Sequence, residues 1–282
     1  MTLHNTAEHV GVIRAVSGNL PNVVQRISAH KRAIQAVLRN GRAKSHRANP
    51  AASLKDEQIY GTPVLLSGLS SLVLTKHEEK LISHHHLTTL RNLLRLYPKT
   101  PHPVIYFLAW SLPGEALLHL RQLSVLGMVS RLQNSLLHRH AYNAFTSRVK
   151  SWSWFHQIPN ICLQYQLPHP LTFLTSPLPK DRYKALIKKH VINFWEVKLR
   201  QESSALSSLK YFKPQFMSLL RPHPLLISAG SSPYEVTKAG VQAIFLSGRY
   251  RTEQLCRYWS NNQGGVCLTP SCRDQNINED IF

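Results

Sequence analysis

Cys267 and Cys272 stand five positions apart around Pro270-Ser271, just after Gly264-Gly265. A turn that short lets two thiolates face one ion, and tetrahedral zinc then needs two further ligands. No His or Cys follows Cys272 before Phe282. On spacing alone, Cys267 and Cys272 read first as two ordinary thiols and second as an incomplete metal site. The run His84-His85-His86 is a second candidate. Consecutive helical residues point about 100° apart, so the three cannot reach one ion, and they read as exposed. Two-metal phosphoryl transfer needs carboxylates held close together. The sequence has no Asp-Asp pair, and Asp56-Glu57, Glu78-Glu79 and Glu279-Asp280 read as capping and solvation. With no glycine-rich phosphate loop and no Ser/His/Asp arrangement, no catalytic residue is assigned.

Charge is the stronger signal. Over 282 residues, 34 Lys and Arg face 14 Asp and Glu, a formal +20. Such an imbalance points to a polyanionic partner, nucleic acid first and an anionic membrane surface second. The signs are also segregated. No acidic residue lies between Glu8 and Asp56, and only Glu115 lies between Glu79 and Asp181. Long stretches of one sign build a sustained positive field rather than a salt-bridged surface. The nucleic-acid-binding candidates are Arg26, Lys31, Arg32, Arg39, Arg42, Lys44, Arg47, Arg91, Arg95, Lys184, Lys188 and Lys189. Trp152, Trp154 and Trp195 fit either base stacking or the core. Four scattered cysteines suit a reducing compartment better than a disulfide scaffold. The 43% hydrophobic content supports a core, and the longest uncharged stretch, broken by Pro63 and two glycines, is a poor membrane span.

Helices must position these groups. Pro21 opens one whose apolar stripe is Leu20, Val23, Val24, Ile27, Ile34, Val37 and Leu38, with His30 off the stripe. Residues 50–74 read as helix bent at Pro63 and Gly68. Thr75-Lys-His-Glu78 is a capping box opening a helix to about Tyr97. Pro113-Gly-Glu115 opens another, to about His138. Ser151 starts a helix that ends before Pro168. Residues 179–201 form an amphipathic helix with Tyr183, Leu186, Ile187, Val191, Phe194 and Trp195 on one stripe. Ser232-Pro-Tyr-Glu235 is a second capping box.

Several motifs follow one another in an order that resembles reverse transcriptases of non-LTR, LINE-like (jockey-type) retrotransposons. They are Pro63-Val-Leu-Leu-Ser-Gly-Leu69, Leu90-Arg-Asn-Leu-Leu-Arg-Leu-Tyr-Pro-Lys-Thr100 and Leu112-Pro-Gly-Glu-Ala116. Ser207-Ser-Leu-Lys-Tyr211 and the run Ser232 to Tyr250 follow, and then Cys267 and Cys272. Together they span nearly the whole chain. In that family this order belongs to the thumb, the connector and a Cys-Cys-His-Cys zinc knuckle. His9-Val10-Gly11 resembles the family's primer-grip strand, with Val10 where the family has Leu.

The resemblance implies an all-α fold: a thumb/connector-like bundle, a second helical segment and a short irregular Cys-containing tail. It divides the chain into a palm-strand remnant (1–13), a thumb-like region (14–138), a basic, aromatic helical region (139–260) and a truncated knuckle-like tail (261–282). It implies a nucleic-acid-binding C-terminal piece of an RNA-directed DNA polymerase, holding primer–template, template RNA or target DNA without the catalytic palm. The expected partners are RNA or DNA and the missing palm and fingers. No cofactor is expected in this chain. Zinc would enter only if the knuckle were completed beyond residue 282, and Mg2+ belongs to the parent enzyme. The expected place is intracellular, nuclear or cytoplasmic. The alternatives are a basic helical protein on an anionic membrane surface and a decayed, non-functional fragment.

Overall fold

The computed structural model describes residues 6–9, 12–15, 18–37, 49–147, 153–209, 212–227 and 232–248. The fold is all-α, preceded by one antiparallel pair, β1 (Thr6–His9) and β2 (Val12–Ala15), in the register Thr6 to Ala15 and His9 to Val12. Within the primer-grip-like motif, His9 ends β1, while Val10 and Gly11 lie outside the described residues.

The first helices are α1 (Leu20–Val37), α2 (Pro50–Asp56) and α3 (Thr62–Leu65). Between α2 and α3 the chain forms a π-helix, Glu57–Gly61, where the sequence suggests only a bend. Proline has no N–H and its ring clashes with the carbonyl four residues back. At Pro63 this removes the bond to Ile59, and the Thr62 N–H reaches back instead to the Glu57 carbonyl. The wider turn is how the chain keeps a helical path through the proline.

Next come α4 (Lys76–Leu93), α5 (His102–Leu108), α6 (Gly114–Arg131) and α7 (Leu136–Thr146). The capping box opening α4 is formed, with Glu78 Oε2 accepting from the Thr75 N–H at 2.7 Å. The helix ends before Tyr97. Arg95 turns left-handed at φ 55°, and the Leu96 N–H bonds the Arg91 carbonyl at 3.0 Å. This closure places Leu96 in the core, 7% exposed, which favours stopping there. The helix expected from Pro113 to His138 is two helices, because Asn134 turns left-handed and Ser135 caps α7 through the His138 N–H. Helix α5 is buried along its whole length from Pro103, as its continuous apolar sequence requires.

The last helices are α8 (Trp154–Gln164), α9 (Pro170–Thr175), α10 (Lys180–Ser204), α11 (Pro224–Ile227) and α12 (Pro233–Leu246). At the start of α12 the Ser232 side chain makes no capping bond. One core cluster runs from Leu54 through α4, α5, α6, α8 and α10 to Ala243. A second joins Val23 of α1 to Leu65, Leu69, Ile82 and Leu118.

Gly127 marks where α6 and α10 meet. An added Cβ there would overlap the Tyr183 ring. That ring is 1% exposed, and its hydroxyl donates to the Leu123 carbonyl at 2.8 Å. Replacing a mid-helix glycine by alanine ordinarily gains about 0.5–1 kcal/mol. Here the ring has nowhere to go, so Gly127→Ala is expected to destabilise by about 1–3 kcal/mol in urea unfolding. A stabilised variant would show that α10 is not seated on α6 as described.

Candidate functional site

Helix α10 explains its own basic surface. Tyr183, Ile187, Val191, Trp195 and Leu199 recur every four residues and are buried, which leaves the opposite face of the helix outward. Lys184, Lys188 and Lys189 are all exposed, and so are Lys180 and Arg182. Lys180, Lys184 and Lys188 form one row at four-residue spacing. Asp181 is the single acidic residue within 180–189, and no ion pair joins these five cations to a described residue. Lys188 also walls a groove of about 320 Å³ with Gln58, Thr62 and Trp110. Trp110 is half-buried and its backbone is left-handed at φ 39°. Spacing gave no hint of this aromatic beside a lysine, since only the close of α5 brings it there.

The second basic region is made by α1 and α4, which pack together. Lys31, Arg32 and Arg95 are exposed. Arg91 is half-buried, and its Nε is enclosed without a partner. Arg26 is half-buried and already partnered within the fold. Burial lowers the pKa of His102, and the neighbouring Arg91 and His84 charges lower it further against the opposing pull of Glu202. Arg39, Arg42, Lys44 and Arg47 lie outside the described residues, as do Cys267, Cys272 and Trp152.

Two tryptophans considered for stacking have other duties. Trp195 is 5% exposed and donates to the Tyr165 hydroxyl at 3.1 Å, and Lys198 lies 4.4 Å over its ring. Trp154 donates to the Ser70 carbonyl at 3.0 Å. Cys162 is buried, which pushes its thiol up to about 12 and leaves it unreactive at neutral pH.

The histidine run is not uniformly exposed. His84 is exposed, His85 is half-buried, and His86 is fully buried. Glu57, read from sequence as a solvated residue, is also fully buried. Its Oε1 accepts from the Thr62 hydroxyl at 2.8 Å and lies 3.5 Å from His30 Nε2 and 3.6 Å from His86 Nε2. His30 Nδ1 in turn pairs with His85 Nε2 at 2.9 Å. The π-turn swings Glu57 inward, and α1 and α4 each supply one imidazole to the carboxylate. Burial raises the Glu57 pKa, but His86, His30 and Thr62 outweigh it and hold the carboxyl below the usual carboxylate range. Among the described residues no group of three His, Cys, Asp or Glu side chains is placed to hold a metal ion. These three side chains form a buried polar cluster that joins α1 to α4.

No protein-family model matches the chain, and neither a curated protein nor a solved structure matches it. Among the described residues no helix is long and apolar enough to cross a membrane.

Proposed function

We propose that the chain is a helical nucleic-acid-binding module that holds RNA or DNA by its phosphates, as the thumb and C-terminal region of a non-LTR reverse transcriptase would. The observation that carries this reading is the outer face of α10. Five exposed cations within ten residues form no ion pair with a described residue, in a chain of formal charge +20. A folded surface of this kind attracts a polyanion and releases its counterions. Lys31, Arg32 and Arg95 extend the same chemistry to the α1–α4 side. Trp110 and Lys188 line one groove, an aromatic for a base next to a cation for a phosphate. The order of sequence motifs supports the polymerase parentage, in which palm, fingers and Mg2+ would belong to the remainder of the enzyme. No catalytic role falls to the residues described.

Fluorescence anisotropy with a labelled RNA–DNA duplex tests this. Micromolar or tighter binding at about 0.1 M salt, undiminished by competing anionic vesicles, is expected. Binding that vesicles abolish and that RNA competitor does not would favour the membrane-surface reading instead.

A further inference from the structure

Glu79 and Glu115, two of the chain's 14 acidic residues, line one cavity of about 410 Å³, within the roughly 300–1,000 Å³ of small-molecule sites. The N-terminal turns of α4 and α6 and one side of α8 enclose it. A hydrogen-bond chain behind the cavity fixes what it presents. Trp195 Nε1–H donates to the Tyr165 oxygen at 3.1 Å, and that oxygen lies 2.8 Å from His119 Nδ1. Burial raises the Tyr165 pKa, and the nearby Glu115 and Glu79 charges add to this against the Trp195 bond, so the phenol keeps its proton. Trp195 and His119 are the phenol's two hydrogen-bond partners among the described residues, and the arrangement that gives its proton an acceptor sends it to His119 Nδ1. The imidazole proton therefore sits on Nε2.

His119 lines the cavity, is only 3% exposed, and turns Nε2 towards Glu79. That nitrogen lies 3.9 Å from Glu79 Oε1, beyond hydrogen-bond distance. This position opens to the cavity and makes no hydrogen bond to a described residue. Glu79 is itself 8% exposed, and its Oε1 accepts from Gln157 Nε2 at 3.1 Å. A carboxylate has about four lone-pair sites, so most of its accepting capacity remains. The cavity floor holds a carboxylate acceptor beside an imidazole N–H donor. Among the described residues His119 and Glu79 belong to no group of three that could hold a metal ion. A simple anion meets two carboxylates, and a simple ammonium leaves the imidazole N–H unmet.

We propose that this cavity is a subsite for one unpaired nucleobase, guanine above the others. Bases removed from a stack are read on their Watson–Crick edge. Guanine alone offers two adjacent N–H donors, for the Glu79 carboxylate, beside a carbonyl acceptor for the His119 N–H. Leu74 and Ile161 supply apolar walls for the ring, and exposed Lys76 stands at the rim for a phosphate. The nucleic-acid reading explains why a base would be at hand, but the site itself is testable alone.

The probe is GMP, titrated calorimetrically into the full chain and compared with IMP and AMP. GMP is expected to bind at least tenfold tighter than AMP and several-fold tighter than IMP, which lacks the exocyclic amine. Glu79→Gln should weaken GMP at least tenfold while leaving duplex affinity within twofold. Equal binding of GMP and IMP by the unaltered chain overturns the proposal, whatever the variant does. Lys184→Glu/Lys188→Glu/Lys189→Glu separates the two readings. Retained GMP selectivity in a chain that never binds duplex leaves the subsite standing and removes the phosphate-binding reading. Duplex binding without GMP selectivity does the reverse.

Discussion

Replacing Glu57 by glutamine is expected to lower the stability of the chain by about 2–4 kcal/mol. The side chain keeps its size, so the loss is electrostatic and not a cavity effect. Glu57 is fully buried between His30 and His86, with the Thr62 hydroxyl bonded at 2.8 Å. An amide removes the charge that both imidazoles face and adds donors where an acceptor is needed. Removing the acceptor from a buried polar cluster is costly because the other members stay buried without compensation. The pH dependence has a definite sign. The Glu57 pKa is depressed in the folded state, so its contribution is present above the unfolded value of about 4.3 and is lost as pH falls below it. The His85 pKa is also depressed, to about 4, first by burial and then by the His30, Lys31, His86 and His84 charges. Its contribution is present above about 6.5 and is lost as pH falls towards 4. Urea unfolding from pH 7.5 to 3.5 should therefore show a decline starting near pH 6.5 and steepening below about 4.3. Glu57→Gln should begin lower and lose the steeper stage. A variant as stable as the parent at pH 7 would mean that the carboxylate does not join α1 to α4.

Reversing Lys184, Lys188 and Lys189 to glutamate should weaken duplex binding by about a hundredfold or more at physiological salt. Each phosphate contact contributes about 0.9 to the slope of log affinity against log salt. Three lost contacts account for about two orders of magnitude near 0.15 M salt, and introduced repulsion adds to this. All three side chains are exposed, so stability should move by less than about 0.5 kcal/mol each. Unaltered affinity in a folded variant would take the nucleic acid off α10.

The sequence shows α10 well, because Tyr183, Ile187, Val191 and Trp195 repeat at helical spacing and leave the lysines outside. It shows the α4 start, because Thr75 and Glu78 carry a local, reciprocal cap. Where an outcome depends on distant partners, it fails. The α4 end is decided by the burial of Leu96, not by Pro98. The break before Ser135 falls at Gln133-Asn134-Ser135, where Leu132 and Leu136 on either side keep the helical apolar spacing going. His86 and Glu57 look polar and hence exposed, yet each is buried because the other is there to pair with. A pairing 29 residues apart in sequence, made possible by a π-turn, leaves no periodic trace. The Ser232 motif matches a capping box in sequence, but no capping bond forms there.

The most direct test is the salt dependence of duplex binding by the whole chain, followed from about 50 to 300 mM salt. A log–log slope of about −3 or steeper, falling by about 3 in the triple lysine reversal, is the result this account predicts. Weak binding with a slope near zero would contradict it, because a module held on phosphates by these lysines cannot bind independently of salt.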